Sequence, residues 1–239
     1  MDRTERIRKW LDNYWYHYKW PTIVISLFAA FIIIASIQLF SKKDPDAHIM
    51  YAGPASITYL SMDEIISSLN DVITQDYNGD KRKHVEYVEI TLTDRTRISE
   101  EGEIYNEYVK NNLDYQSSML ERYNAEIAFG DSVIYFISPG IYMDLKYNFQ
   151  LVPLNSERLL NDIPDNAFDE YSFKLSDLDI YKCPGFSLLP EDTLVCVRNP
   201  DKRLAIAKIS DEDFKNNVSV FKDIVNYKHP EENKKGENT

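Results

Sequence analysis

Few residues in this chain have types and spacings that could do chemistry, and the most suggestive are oxygens for a cation. Asp76, Asn78 and Asp80 stand at alternate positions of DYNGD, the way an EF-hand loop begins to surround calcium. Such a loop has glycine at its sixth position and a glutamate that gives two oxygens at its twelfth. Here those positions hold Lys81 and Tyr87. Calcium, the one cofactor the sequence offers, would be held weakly without that glutamate, and an Asp/Asn/Gly turn between helix and strand explains the same letters. Cys183 and Cys196 flank CPGFSLLPEDTLVC, which reads as a hairpin. They would either bridge its strands in an oxidising compartment or remain two separate buried thiols. Their spacing is neither metal-like nor thioredoxin-like. His17, His48, His84 and His229 are scattered, and no HExxH, G-x-S-x-G, P-loop or G-x-G-x-x-G pattern occurs. The pairs Asp63/Glu64 and Asp177/Asp179 are of the kind used for proton transfer. With 39 acidic residues in the chain, however, such pairs arise by chance. No catalytic residue is assigned, and the chain reads as a non-enzyme.

Any binding residue must be positioned by the elements around it. HIMYAGP (48–54) is a short apolar run closed by Gly-Pro, a strand entering a turn. Ser61 and Glu64 form a capping box, and Met62, Ile65, Ile66, Leu69, Val72 and Ile73 recur at helical spacing. VEYVEITLT (85–93) is the second strand. A long helix ends near Phe129, with Val109, Leu113, Leu120, Tyr123 and Ile127 as its buried stripe. SVIYFI (132–137) is apolar without interruption, which suits a strand covered on both faces. A short helix over 141–147, a minor strand over 150–153 and a helix in ERLLNDI follow. Strands at 194–198 and 203–209 precede a final helix, capped by Ser210, that buries Phe214, Val218, Phe221 and Val225. The alternation gives an α/β domain, one mostly parallel sheet flanked by helices. In such sheets ligands bind beyond the carboxyl ends of the strands. That edge holds Gly53 and Ser56 after the first strand, and Ser138, Gly140 and Tyr142 after the third. Backbone N–H groups at the helix start suit an anion there, although these residue types also serve as caps and turn formers.

Ahead of this domain, Trp20 to Ser41 holds 22 residues without a charge. About 20 apolar residues cross the roughly 30 Å of a bilayer's hydrocarbon, so the segment reads as a single transmembrane helix. It lacks the shorter apolar core and small-residue site of a cleaved signal. Arg3, Arg6, Arg8, Lys9 and Lys19 precede it, whereas only Lys42 and Lys43 follow closely, which places residues 1–19 in the cytoplasm. Trp10, Tyr14, Trp15, Tyr16, Tyr18 and Trp20 form an aromatic belt at that interface. Residues 42–47 are a linker, 48–227 the extracytoplasmic α/β domain and 228–239 a disordered tail. Removing the five basic and three acidic residues before position 42 from the chain's 27 and 39 leaves 22 against 36, a net charge of −14. So acidic a domain repels phosphate backbones, and nucleic acid is excluded as a partner.

HIMYAG, a helix, VEYVEITL and a long helix ending in AEIAFGDSVIYFISPGIYMDLKYNFQLVPLN together resemble the first lobe of bacterial extracellular solute-binding proteins (type 2 periplasmic-binding-protein-like fold). The likeness runs through Ala128–Asp131, Leu151–Leu154, Tyr181–Gly185 and Thr193–Val197, covering about residues 48–200. Such proteins close a second lobe over a solute. This chain has only 41 residues after Arg198, too few for that lobe, and a membrane span replaces the family's lipidated cysteine. The resulting expectation is a membrane-anchored, non-catalytic recognition or accessory module engaging a protein or envelope partner. The alternative is a small-solute or ion-binding protein, completed by a dimer that supplies the missing lobe.

Overall fold

The computed structural model describes residues 3–40, 44–56, 59–93, 113–202 and 209–230. They fall into two units that divide between Asp44 and Pro45. The first is one helix, α1 (Arg3–Phe40), which carries Pro21 inside it. At 1.5 Å per residue its 38 residues extend about 57 Å. It is long and apolar enough to cross a membrane. Trp10, Tyr14 and Tyr18 recur every fourth residue and stack, with ring centroids 5.7 Å and 5.4 Å apart.

The second unit is built around strand β3 (Ile134–Ile137), whose four side chains are all buried. Side chains alternate across a strand. Ile134 and Phe136 therefore enter the core on one face of the sheet, while Tyr135 and Ile137 enter the core on the other. β1 (Ala47–Gly53) and β2 (Val85–Thr91) lie on one side of β3; β4 (Ser172–Lys174) and β5 (Leu194–Val197) lie on the other. The order is β2-β1-β3-β5-β4. β1 is parallel to both β2 and β3, but β5 is antiparallel to β3 and to β4. The expectation of an α/β domain holds; that of a mostly parallel sheet does not, because the sheet is mixed. An uninterrupted apolar strand reports burial on both faces and carries no information about its partners' direction.

Helices cover the two faces. α2 (Tyr59–Val72) and the last helix contribute Ile65, Leu69, Phe214, Val218 and Phe221 to the larger core. Ser61 lies inside α2 and so is not its cap. The second face is covered by α3 (Leu113–Phe129) and α4 (Pro139–Tyr147). The buried stripe of α3 differs from the expected one. Met119, Tyr123 and Ile127 are half-buried against the sheet, whereas Leu113 and Leu120 face out; Val109 lies outside the described residues. The last helix, α5 (Asp211–Asn226), is capped as expected, with Ser210 Oγ accepting from the Asp213 N–H at 3.0 Å. The strand expected at 203–209 and the tail beyond 230 also lie outside the described residues, Ile209 excepted.

The segment expected to be a hairpin, 183–196, is a run of tight helical turns leading into β5. Gly185 has φ +83°, and a Cβ there would come within 2.9 Å of the Ile65 backbone nitrogen on α2. The chain presses on that helix there and does not pair with β5. The strand that does pair with β5 is β4, only three residues long. Nor does ERLLNDI form a helix; residues 154–162 are turns.

Candidate functional site

At the edge where β3 and β4 end and β5 begins, the surface opens into a groove of about 130 Å³. Pro139, Tyr142 and Met143 line it from α4, Phe168 and Lys174 from the segment through β4, and Asp192 and Leu194 from the entry to β5. Strand register brings these segments together: Ile137 pairs with Leu194, and Lys174 pairs with Leu194 from the other side. Phe168 is presented by a reversal in which its own N–H and that of Asp169 both donate to the Ser172 carbonyl. Met143 is 41% exposed and Phe168 57% exposed. Tyr147, one turn after Met143 on α4, is also exposed.

The floor of the groove is fixed by Asp169. One carboxylate oxygen accepts from the Tyr142 hydroxyl and from Lys146 Nζ at 2.7 Å. The other accepts from the Tyr171 N–H and the Ser172 hydroxyl, each at 2.9 Å. Lys146 also lies over the rings of Tyr142 and Tyr171, 5.7 Å and 5.3 Å from their centroids. Burial would raise the Asp169 carboxyl, but donation from Lys146, Tyr142, Tyr171 and Ser172 outweighs it and holds the group below the usual carboxylate range. The Tyr142 hydroxyl is pushed far up, first by burial and then by its bond to Asp169. It is therefore locked as a donor and serves to position α4 against the 168–172 reversal.

The strand-end residues singled out from the sequence meet only in part. Ser138 and the end of β1 are joined by a 3.0 Å bond from the Ser138 N–H to the Ala52 carbonyl. Ser138 precedes α4 without making a side-chain cap, and its buried hydroxyl has no hydrogen-bond partner among the described residues. Gly140 is in the first turn of α4, and Tyr142 lines the groove. Gly53 makes room for a neighbour: a Cβ there would lie 2.6 Å from the Tyr51 hydroxyl, which accepts from the Ala55 N–H. Ser56 is exposed beyond that turn.

The oxygens of the calcium-like loop face its own backbone. Asp76 accepts from the N–H groups of Gly79 and Lys81, Asn78 from Asp80, and Asp80 from Arg82. The loop is tied down by Asp46, fully buried, which accepts from the N–H groups of Tyr77, Asn78 and His84. Among the described residues no group of three His, Cys, Asp or Glu side chains is placed to hold a metal. Cys183 and Cys196 are free. Each packs in a different core, on opposite faces of the sheet, so the bridging alternative is not realised. Burial pushes both thiols up.

Met143, Lys146, Phe168, Asp169, Lys174, Asp192 and Leu194 were not legible as a site. They are spread over 52 positions, in segments with no shared period, and only the pairing of β5 with both β3 and β4 gathers them. An aromatic residue amid charge in AFDEY was the one available signal for Phe168. Comparison with protein-family models, with curated proteins and with solved structures finds no match to this chain.

Proposed function

We propose that this protein is a membrane-anchored, non-catalytic recognition module that engages a partner protein through the groove bounded by α4, β4 and β5. The apolar helix α1 supports anchoring, and the distribution of Lys and Arg around it supports a cytoplasmic N-terminus with the α/β domain outside. The observation that carries the reading is an open groove floored by Tyr142 and Leu194 and flanked by exposed Met143 and Phe168. Isolated exposed apolar residues are ordinary, but apolar residues gathered around a concavity mark an interaction site. At this groove, size favours an inserted protein side chain over a whole solute. Sites for drug-sized ligands occupy about 300–1,000 Å³, whereas an apolar cavity of about 150 Å³ holds one benzene-sized group. At about 130 Å³ the groove suits a single inserted side chain.

The second reading, capture of a small solute or ion, draws on the resemblance to solute-binding proteins and on the unpartnered Ser138 hydroxyl at the start of α4. Thermal unfolding of the full chain in micelles separates the two. Added at about a hundred times its dissociation constant, a ligand contributes about 2.7 kcal/mol, a shift of a few degrees in a domain of this size. Peptides with an accessible aliphatic or aromatic residue are expected to give that shift, and Phe168→Ser to abolish it. A shift with amino acids, sugars, polyamines or calcium, and none with peptides, would replace the first reading with the second.

A further inference from the structure

We infer that the segment received by the groove is cationic: an apolar anchor residue flanked by Lys or Arg. This rests on the groove being a protein-recognition site. The three segments that supply its lining carry six carboxylates, Asp144, Asp165, Asp169, Glu170, Glu191 and Asp192, against two lysines, Lys146 and Lys174. One of those lysines is already matched, since Lys146 pairs with Asp169 at 2.7 Å. Asp144, Asp165, Glu170 and Glu191 are exposed. Asp144 follows groove-lining Met143 directly, and Asp165 and Glu170 lie three residues before and two after Phe168. An apolar centre lined by segments with more carboxylates than lysines favours a partner of complementary charge. It also rejects acidic segments, because like charges held together at a rim are repulsive. The domain as a whole carries −14.

The test uses the full chain in nanodiscs of zwitterionic lipid and four fluorescent peptides. Three share a central Leu or Phe, with flanks of Lys, Gly/Ser or Glu; the fourth keeps Lys flanks and replaces the anchor with Ser. The Lys-flanked anchor peptide is expected to bind tightest and to weaken as salt is raised. Loss of the anchor is expected to cost about tenfold in affinity. Asp165→Asn combined with Glu170→Gln is expected to weaken the Lys-flanked peptide by about two- to fivefold per charge removed and to leave the Gly/Ser-flanked one unchanged. Phe168→Ser is expected to weaken both. If Gly/Ser or Glu flanks bind as well as Lys flanks, the cationic assignment is wrong while the groove stands. A concentration-dependent dimer lost in Phe168→Ser would likewise overturn it, with a second copy as the occupant. If no anchor peptide binds, or Phe168→Ser and Met143→Ser change nothing, the groove itself is not the site.

Discussion

Tyr142 and Asp169 show how a residue's neighbours decide its work. In sequence Tyr142 is a candidate ligand contact; in the fold its hydroxyl is already committed to Asp169, and its ring is what the groove presents. Asp169 titrates lower in the folded protein than in the unfolded chain. Its contribution to stability is therefore complete above the ordinary aspartate value of about 4 and is lost as pH falls through the lower folded value. Asp169→Asn is expected to cost about 2 kcal/mol at pH 7, in the range for hydrogen bonds to a charged group. In urea unfolding across pH, the gap between wild type and variant should narrow below about pH 4. A gap that does not change with pH would mean that the carboxylate's charge contributes nothing. Nothing near Asp169 in sequence announces this role, since its cationic partner lies 23 positions earlier.

At the scale of elements, α3 is an unusual helix, with no fully buried residue of its own. Its last turn is held by Arg198, which follows β5 and is 1% exposed. The guanidinium donates to the carbonyls of Glu126, Ile127 and Gly130 at the end of the helix, where carbonyls run out of intrahelical donors; Glu126 accepts in addition from the Gly130 N–H. A cation there also opposes the partial negative charge of the helix C-terminus. Arg198→Met would strip those carbonyls of the arginine's bonds, and is expected to cost about 3 kcal/mol. Arg198→Lys should recover part of that, because one ammonium cannot reproduce the planar fork. Hydrogen exchange should quicken in α3 more than in β1 for Arg198→Met; a uniform change would show that the arginine acts on the whole domain. α2, α4 and α5 were readable as helices from the sequence, and the start of α5 from its cap, but α2 and α4 each begin two residues before the expected Ser61 and Ile141. β4 was not, because three residues are too few to show a period and its pairing with β5 is not local.

For the whole molecule, the proposed arrangement places helix α1 in the bilayer and the acidic domain outside. It can be checked because Cys183 and Cys196 are buried thiols. With a membrane-impermeant maleimide applied to intact cells, the natural chain should label only on unfolding, Glu170→Cys should label at once, and Arg8→Cys should label only after lysis. Labelling of Arg8→Cys from outside would reverse the orientation. What the sequence determines by itself is whatever depends on neighbours along the chain. That includes a 22-residue uncharged span, the charge of −14 beyond it, the apolar stripes of α2 and α5, and the double-sided burial of β3. Strand direction, the separation of the two cysteines onto opposite faces and the gathering of Met143, Phe168 and Leu194 into a groove were decided only by the tertiary structure. Each of these depends on which distant segments share a ladder. Apolar periodicity reports how buried a segment is but leaves its partner in the sheet unspecified.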